Sequence, residues 1–459
     1  MKTKLPIAIF CATALGLHAC SAVGGHSQSA LVPAAASGDS AGHVIVGNYI
    51  KHVVVIIQEN RSFSNFFAGY PGAQDAPMYG YQYNPATKQR VKIPLQPHNF
   101  LGPDFDHTWL PAITDYRSGN MDGYPTPTYA YMQRQLVKPL WTMASQYVLA
   151  DHMYPEEFGP SFTAHISLVA ATTNLTSDAG PNPTAEVNLP TSAWRCNALP
   201  GTTTSILTPG QQNLPINSVV HSNTGPFPCF TQFNTMAQVL DQHDLSWKWY
   251  NAPLGTPYLR WDPFDAIKYV WDGPDEMRNI IQPQQQVIYD ARRGQLPAVS
   301  WVTPDWQDSD HTGNNSDTGP SWVTAVVNAI GQSPEWSSTA IFIVWDDWGG
   351  WYDGSPPPVK DFTGLGERVP FLVVSPYAKK GYVSHTQYEF SSTLKFVEST
   401  FNLPVIGPPS FGYTDTRAAS LLDCFNFTQK PRPYIKIPAR YPTSHFLHEK
   451  PSYHVPDEV

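Results

Sequence analysis

Five short, mostly apolar segments, separated by stretches with helical periodicity, restrict the fold of this 459-residue chain more than any other feature. Uninterrupted apolar runs of this length are typical of strands that are buried on both faces of a parallel sheet. The five segments are residues 52–57, 246–250, 298–302, 340–345 and 369–374. The stretches between them predict helices at residues 132–147, 161–173, 235–243, 321–330 and 391–401. Strands that alternate with helices predict an α/β fold, with a mostly parallel sheet and helices on both faces.

Polar residues directly follow three of these predicted strands. Glu59 and Asn60 follow the first strand, Asp305 follows the third, and Asp346 and Asp347 follow the fourth. In open α/β sheets, ligands bind beyond the carboxyl ends of the strands. We therefore expect these side chains to meet at one edge of the sheet.

Oxygen ligands at such an edge predict a site for a hard divalent cation. The carboxylates and amide of Glu59, Asn60, Asp346 and Asp347 suit Mg, Ca or Mn. Taken singly, the first pair would be a strand-to-helix cap and the second an acidic pair at a helix N-terminus. Four acceptors clustered at one edge would repel each other without a cation, so the clustering favours a metal site.

Ser161 follows a Gly-Pro pair and begins one of the predicted helices. A serine at this position is most often an N-cap. A helix N-terminus also favours anions, because its free N–H groups and its dipole stabilise negative charge. A nucleophilic hydroxyl that takes up a phosphoryl group is therefore the alternative interpretation of Ser161.

Three histidines, His107, His165 and His311, lie in polar, turn-rich contexts. A histidine in a loop is usually only solvated. Acids flank His107 and His311 in the sequence, and neighbouring carboxylates raise the pKa of an imidazole. Both histidines are thus candidates for a phosphate clamp or a general acid.

Charge and motifs exclude several classes of function. Without residues 1–20, which contain Lys2 and Lys4, the 28 basic residues fall to 26 against 37 acidic residues, a net charge of −11. This argues against nucleic-acid binding, although a local metal ion would still permit an anionic substrate. The sequence contains no G-x-G-x-x-G, P-loop, H-E-x-x-H or C-x-x-C motif, which disfavours dinucleotide oxidoreductases, P-loop NTPases and zincins.

The N-terminal residues have the pattern of a leader. Two lysines precede an apolar run at residues 5–17, so residues 1–20 predict a signal peptide. The run ends in Leu-His-Ala-Cys, which favours lipidation at Cys20, with plain secretion as the alternative. Residues 21–47 are small and polar and predict a flexible tether. The chain is expected to be periplasmic, anchored to the outer membrane or extracellular in a bacterium, and no later apolar segment reaches the length of a transmembrane helix.

The remaining residues, 48–459, predict one large domain that contains an insertion. Residues 174–235 are rich in Asn, Pro, Thr and Gly, which indicates an inserted loop or cap. Cys196 and Cys229 lie within it, and an oxidising compartment favours a disulfide between them over two buried thiols. Cys424 is left over and is expected to be buried.

Five sequence blocks together resemble the phosphoesterase family of bacterial phospholipases C and acid phosphatases, in the alkaline-phosphatase-like superfamily. The blocks are HVVVIIQENRSF (52–63), GPSFTAH (159–165), DSDH (308–311), IVWDDWGGWYD (343–353) and VPFLVVSPYAKK (369–380). They occur in the family's order and extend over most of the chain. The resemblance implies a three-layer α/β/α sandwich of alkaline-phosphatase type, with a metal-dependent phosphoric ester hydrolase in residues 48–459.

The resemblance also implies roles for individual residues. Ser161 matches the nucleophile that forms a phosphoserine, and His107 and His311 match histidines that line the phosphate site. One divalent metal ion would be held by the residues that match the family's metal-binding pair and acid pair, which are Glu59, Asn60, Asp346 and Asp347. The leaving group is expected to be a small phosphomonoester or a phospholipid headgroup. The lack of an amphipathic basic stretch slightly favours the monoester.

The sequence departs from the family at two places. Thr163 and Ala164 replace the usual Pro-Asn, and Gly354 replaces a common histidine. These departures favour one alternative, a catalytically degenerate surface binding protein of the same fold. A second alternative is a carbohydrate-binding protein, suggested by the 14 Trp and 23 Tyr residues. Retention of the nucleophile and all four metal-site residues favours the enzyme over both.

Overall fold

The computed structural model describes residues 44–175, 184–186, 196, 205–207, 229–232, 234–253, 262–361 and 363–454. The predicted signal peptide, Cys20, most of the predicted cap at 174–235 and the tether up to residue 43 lie outside these residues. A compact unit begins at Val44. Val46, within the last residues of the tether predicted for residues 21–47, is buried in a short 3-10 helix. An apolar side chain that finds a core site orders this stretch.

The strands and helices of the described residues are numbered in chain order. The strands are β1 His52–Gln58, β2 Tyr79–Asn84, β3 Gln89–Pro94, β4 Gln96–His98, β5 Ala130–Met132, β6 Val148–Tyr154, β7 Thr184–Glu186, β8 Ser205–Leu207, β9 Trp247–Tyr250, β10 Ile280–Ile281, β11 Val299–Val302, β12 Thr339–Trp345, β13 Val369–Val374, β14 Tyr382–Ser384 and β15 Tyr388–Glu389. The helices are α1 Phe63–Phe67, α2 Trp109–Tyr116, α3 Lys138–Gln146, α4 Ser161–Ala170, α5 Met236–Gln242, α6 Lys268–Trp271, α7 Asp275–Arg278, α8 Gln286–Arg293, α9 Gly319–Gly331, α10 Ser391–Phe401 and α11 Thr443–His448. All five predicted strands are present.

One large sheet organises the described residues. Its strand order is β10-β9-β11-β1-β12-β13-β6-β14, and β15 also pairs with β6. Every pairing is parallel except the two made by β13 with β12 and β6. The predicted mostly parallel sheet is confirmed.

Helices form a layer on each face of this sheet. One group contains α3, α8, α9 and α11, in which α9 contacts each of the others. A second group contains α4, α5 and α10, in which α4 contacts the other two. The central strands are buried along their length, as the uninterrupted apolar runs predict for strands covered on both faces. The molecule is thus the three-layer α/β/α sandwich that was expected. None of the helices within the described residues has the length and apolar character needed to cross a membrane.

The strand β6 is absent from the prediction, and two helices are shorter than the sequence predicts. Asp151 and His152 interrupt the apolar pattern of β6, although the strand lies inside the sheet. The helix predicted from residue 132 begins only at Lys138, where Pro139 suits the first helical turn. The helix predicted for 161–173 ends at Ala170, because Ala171 has a left-handed conformation with φ 57°.

The cysteines follow the expectations where they are described. Cys196 and Cys229 form a disulfide that closes 33 residues of chain. Cys424 is a free, buried thiol, and burial raises its pKa, which makes it unreactive.

Arg368 is a fully buried cation that joins the loops beside the sheet. Its Nε donates to Asp353 Oδ1 over 3.0 Å, and its Nη1 donates to the carbonyls of Asp151 and Gln74. Its Nη2 donates to the carbonyl of Asp75. The residue therefore fixes β6 and two loops with one side chain.

Replacing Arg368 with Ala is expected to lower the free energy of unfolding by about 3–5 kcal/mol, because Asp353 would stay buried without its cation. Urea denaturation measures this change. Arg278 is exposed on α7, so Arg278→Ala is the matched control and should change stability by less than about 0.5 kcal/mol. Equal effects of the two substitutions would contradict the structural role of Arg368.

Candidate active site

The ends of β1 and β12 bring four polar side chains together. The two strands pair in parallel with Gln58 opposite Trp345, so the residues that follow them are neighbours. Glu59, Asn60, Asp346 and Asp347 are all completely buried. The backbone N–H of Asn60 donates to Asp346 Oδ1 over 3.0 Å, which ties the two strand ends together.

Ser161 is the first residue of α4 and faces this cluster. Its Oγ donates to Asp347 Oδ2 over 3.1 Å, and the side chain is almost fully buried. The N-cap of α4 is Pro160, and the hydroxyl of Ser161 makes no capping hydrogen bond. The interpretation of Ser161 as an N-cap is therefore wrong, and its hydroxyl belongs to the polar site.

His165 lies one helical turn after Ser161 and also faces the cluster. Its Nε2 is 3.3 Å from Glu59 Oε1, and its Nδ1 is 3.6 Å from Asp346 Oδ2. Ligand atoms of the three side chains lie within 4.8 Å of one another. The turn-rich context assigned to His165 is wrong, because the residue is buried in α4. The i, i+4 spacing from Ser161 was the signal that could have identified it.

The buried charges shift each other's pKa values in opposite directions. Burial acts to raise the pKa of Asp346, but the charge of His165 and several hydrogen bonds lower it below its ordinary value. The pKa of Asp347 is raised well above its ordinary value by burial and by the charge of Asp346. Burial lowers the pKa of His165. Adjacent aspartates thus differ in their affinity for a proton, which is a common property of catalytic pairs.

The donor set fits a divalent cation. Two carboxylates and one imidazole converge in the group formed by Glu59, His165 and Asp346. Beside them, Asn60 Oδ1 is buried and accepts no hydrogen bond from any residue that the structure describes. Carboxylate oxygens suit the predicted Mg, Ca or Mn, and the imidazole extends the range to Zn. Asp347, predicted as a fourth ligand, lies beside this group and accepts the hydrogen bond from Ser161.

His107 and His311 are also buried, and His107 contacts Asn60. Asn60 Nδ2 donates to His107 Nε2 over 2.7 Å, and His107 Nδ1 donates to the carbonyl of Phe105 over 2.6 Å. The ring centroids of His107 and His311 are 5.9 Å apart, and those of Trp306 and His311 are 4.4 Å apart. Both predicted histidines therefore lie at the site, and His107 is joined to it by a hydrogen bond.

The flanking acids that suggested cationic histidines accept hydrogen bonds from other residues, and Asp104 Oδ1 also lies 3.9 Å from His107 Nδ1. Asp104 accepts a hydrogen bond from the hydroxyl of Thr312, and Asp106 accepts two from Thr108. Asp305, the third strand-end acid, accepts hydrogen bonds from the backbone and hydroxyl of Ser452. It therefore fixes the C-terminal segment and contributes no side chain to the cluster.

The two departures from the family pattern have simple structural consequences. Thr163 Oγ1 donates to the carbonyl of Pro160 over 3.0 Å, so it turns away from the hydroxyl of Ser161. Ala164 offers no polar group. Gly354 lies where a Cβ atom would approach the carbonyl oxygen of Asp75 to 2.9 Å, so a side chain there would require a local shift.

The segment that leads into α4 also contains the buried carboxyl group of Glu156. Its Oε1 accepts a hydrogen bond from the backbone of Ser391 over 2.6 Å and another from the Ser391 hydroxyl. Burial and the charge of Glu389 raise the pKa of Glu156 to about 8, although the Ser391 hydrogen bonds oppose this. Glu156 therefore keeps its proton in the folded state near neutral pH.

This protonated carboxyl group predicts a pH-dependent stability. Between about pH 4.5 and pH 8 the unfolded chain loses the proton that the folded chain retains, so stability falls as pH rises, by up to about 1.4 kcal/mol per pH unit from this group. Glu156→Gln keeps an acceptor for Ser391 and removes the titration. The stability of the variant relative to the wild type should therefore increase from about pH 5 to about pH 8, as measured by urea denaturation. A difference that is independent of pH would contradict the buried, protonated Glu156.

Comparisons with known proteins identify relatives of the chain. A model of the phosphoesterase family matches residues 50–404. Phospholipase C B of Mycobacterium tuberculosis is 24% identical over 447 residues, which cover 84% of this chain and 79% of that protein. Non-hemolytic phospholipase C of Pseudomonas aeruginosa is 22% identical over 454 residues, which cover 85% of this chain and 59% of that protein.

A plant protein and a solved structure also match. Non-specific phospholipase C6 of Arabidopsis thaliana is 24% identical over 430 residues, which cover 85% of this chain and 76% of that protein. A protein in the alkaline phosphatase superfamily from Vibrio parahaemolyticus aligns with a TM-score of 0.36 at 11% identity, over 81% of this chain and 70% of that chain. The residues matched by the family model include β1, α4 and β12, which carry the site described above.

Proposed function

Because the chain belongs to the phosphoesterase family, whose members hydrolyse phosphoric esters, we propose that it is a metal-dependent hydrolase that acts through a phosphoserine on Ser161. The observation that carries this proposal is the position of the Ser161 hydroxyl. It lies at the N-terminus of α4, hydrogen-bonded to Asp347 and next to the group formed by Glu59, His165 and Asp346. A nucleophile, a proton acceptor and a candidate cation site are therefore adjacent.

Ser161 attacks phosphorus while Asp347 accepts the hydroxyl proton. The hydrogen bond from Ser161 Oγ to Asp347 Oδ2 fixes the direction of this transfer. The free N–H groups of the first turn of α4 face the same region and stabilise the transferring anionic group. Covalent transfer then divides one difficult displacement into two easier ones.

Glu59, His165 and Asp346 would hold the metal ion, and the amide oxygen of Asn60 lies beside them. When bound, a divalent ion supplies positive charge that stabilises an ionised hydroxyl and the phosphoryl oxygens. Asn60 also donates to His107 through its Nδ2, so the same side chain orients His107. His107 and His311 would line the site of the phosphoryl group. Because His107 Nε2 accepts a hydrogen bond from Asn60 and its Nδ1 donates to Phe105, the proton for the leaving oxygen is assigned to His311.

The substrate is a phosphate ester, either a small phosphomonoester or a phospholipid headgroup. Relatives named as phospholipases C support the lipid, whereas the lack of an amphipathic basic stretch supports the monoester. We also propose that the protein is exported from a bacterial cell, as the leader pattern of residues 1–20 indicates.

A paired assay tests the activity and separates the two substrates. Release of p-nitrophenol from p-nitrophenyl phosphate and of diacylglycerol from phosphatidylcholine is measured from acid to neutral pH, with and without a chelator. Hydrolysis of either substrate, lost with chelator and restored by a divalent cation, is the expected result. Absence of hydrolysis in both assays, with retained affinity for phosphate, would instead favour the degenerate binding protein that Ala164 suggests.

A further inference from the structure

A second cluster of potential metal ligands lies near the end of the sheet that β14 forms. It consists of Asp151 and His152 on β6 and His385 directly after β14, which pairs with β6 in parallel. Ligand atoms of the three side chains lie within 4.8 Å of one another. The cluster shares no residue with the group formed by Glu59, His165 and Asp346.

Asp151 is the buried centre of this cluster. Its Oδ1 is 2.7 Å from His152 Nδ1, and its Oδ2 is 2.8 Å from His385 Nδ1. The backbone N–H of Gln74 donates to Asp151 Oδ2 over 2.7 Å. The carboxylate of Asp151 therefore holds the Nδ1 atoms of both imidazoles close to it.

His152 faces carboxylates with both ring nitrogens. Its Nδ1 faces Asp151, and its Nε2 is 3.8 Å from Asp75 Oδ2. A metal-ligating histidine usually donates its other ring N–H to a carboxylate, which fixes its orientation and strengthens its binding. Asp75 is placed for that orienting role when His152 binds a cation through Nδ1.

The backbone around the cluster is held in place. Asp423 accepts hydrogen bonds from the hydroxyls of Ser384 and Thr386, the residues on either side of His385. Arg368 binds the carbonyls of Asp75 and Asp151. The ligands are thus presented by a fixed framework.

The local charge favours a cation. Asp75 and Asp151 provide two carboxylates. Arg368 donates to the backbone here, but its charge is paired with that of Asp353 over 3.0 Å. The side chain of Asp151 is fully buried, whereas those of His385 and Asp75 are 41% and 60% exposed. The cluster is therefore open to ions from solvent on one side and anchored by a buried acid on the other.

We propose that Asp151, His152 and His385 form a second metal site, which binds a divalent transition-metal ion of the zinc type. Two imidazoles and one carboxylate are a donor set that suits Zn²⁺. The ion replaces the protons that bridge the carboxylate and the two Nδ1 atoms, and water occupies the remaining position. Bonds of about 2.0–2.1 Å in a tetrahedron place neighbouring ligand atoms about 3.3 Å apart, so each imidazole moves by about 0.5 Å. The exposure of His385 permits this movement.

Zinc binding to the full chain tests the site. Zinc alone is titrated against a chromophoric chelator, and bound zinc is counted by mass spectrometry after dialysis, for the wild type and four variants. His385→Ala removes the exposed ligand with little risk to folding, and His448→Ala removes an exposed histidine of α11 as the matched control. Glu59→Gln weakens the candidate catalytic site alone. Circular dichroism checks that each variant is folded.

His385→Ala is expected to weaken one zinc site by about 100-fold or more, and His448→Ala should bind zinc like the wild type. His152→Ala should reproduce the effect of His385→Ala. The His385-dependent site should persist in Glu59→Gln. A folded His385→Ala variant with the zinc affinity and stoichiometry of the wild type would overturn the second site. If Glu59→Gln leaves zinc binding unchanged, the catalytic site does not bind zinc while this second site stands, so the result for the second site does not depend on the proposed function.

Discussion

Ser161→Ala is expected to reduce kcat by about three orders of magnitude or more while the protein stays folded. The hydroxyl of Ser161 is the one that donates to Asp347 at the N-terminus of α4, beside the candidate cation site. Loss of that hydrogen bond should cost only about 0.5–1.5 kcal/mol of stability, since Pro160, rather than Ser161, caps the helix. Turnover of p-nitrophenyl phosphate and urea denaturation measure the two effects.

Thr163→Ala is the matched control for this prediction. Thr163 is a buried hydroxyl residue on the same helix turn, and its Oγ1 donates to the carbonyl of Pro160. Two residues separate it from Ser161 by about 200° around the helix, so the two hydroxyls cannot face one phosphate. The variant should keep turnover within a few-fold of the wild type. An inactive Thr163→Ala together with an active Ser161→Ala would show that the wrong hydroxyl has been assigned.

Glu59→Gln is expected to lose the metal ion of the candidate catalytic site and to lower kcat by about three orders of magnitude. The amide keeps the size of the side chain but gives up one of the two carboxylates that meet His165. A neutral oxygen binds a divalent cation less strongly, so added metal should restore part of the activity at high concentration. Metal content by mass spectrometry and kcat as a function of added Mg²⁺, Mn²⁺ or Zn²⁺ measure the effect.

Asp305→Asn provides the comparison at the same edge of the sheet. Asp305 also follows a strand, but its carboxylate accepts hydrogen bonds from Ser452 and contributes nothing to the group around His165. Its substitution should leave metal content unchanged. A Glu59→Gln variant that retains wild-type metal content and turnover, or an Asp305→Asn variant that loses its metal, would contradict the assigned ligands.

The sheet was predictable because its strands are apolar over their whole length. The apolar runs at β1 and β12 are typical of strands that two helical layers cover. Because the strands are parallel, the polar residues that follow them lie at the same edge of the sheet. β6 was missed because Asp151 and His152 break its pattern. Those two residues make specific hydrogen bonds inside the fold, and the sequence does not reveal partners as distant as His385.

Most residues of the site were predictable from the sequence, whereas the partners and roles of the individual side chains were less so. His165 is named from the sequence but not as a metal ligand, because a histidine within an apolar helix has no local signal beyond its spacing from Ser161. Asp305 was expected at the cluster, but the direction of its side chain depends on the C-terminal segment, which returns from almost 150 residues away. Strand ends fix where a residue lies, whereas the partners of each side chain depend on contacts across the whole fold.

The covalent phosphoserine is the central claim, and trapping it is the most direct test. The enzyme is mixed with excess p-nitrophenyl phosphate, quenched in acid during turnover and digested, and the peptides are analysed by mass spectrometry. The peptide containing Ser161 is expected to gain the mass of one phosphoryl group, and the same peptide from Ser161→Ala is not. Sustained turnover without a phosphoryl group on Ser161, or with one on Thr163, would contradict the covalent mechanism.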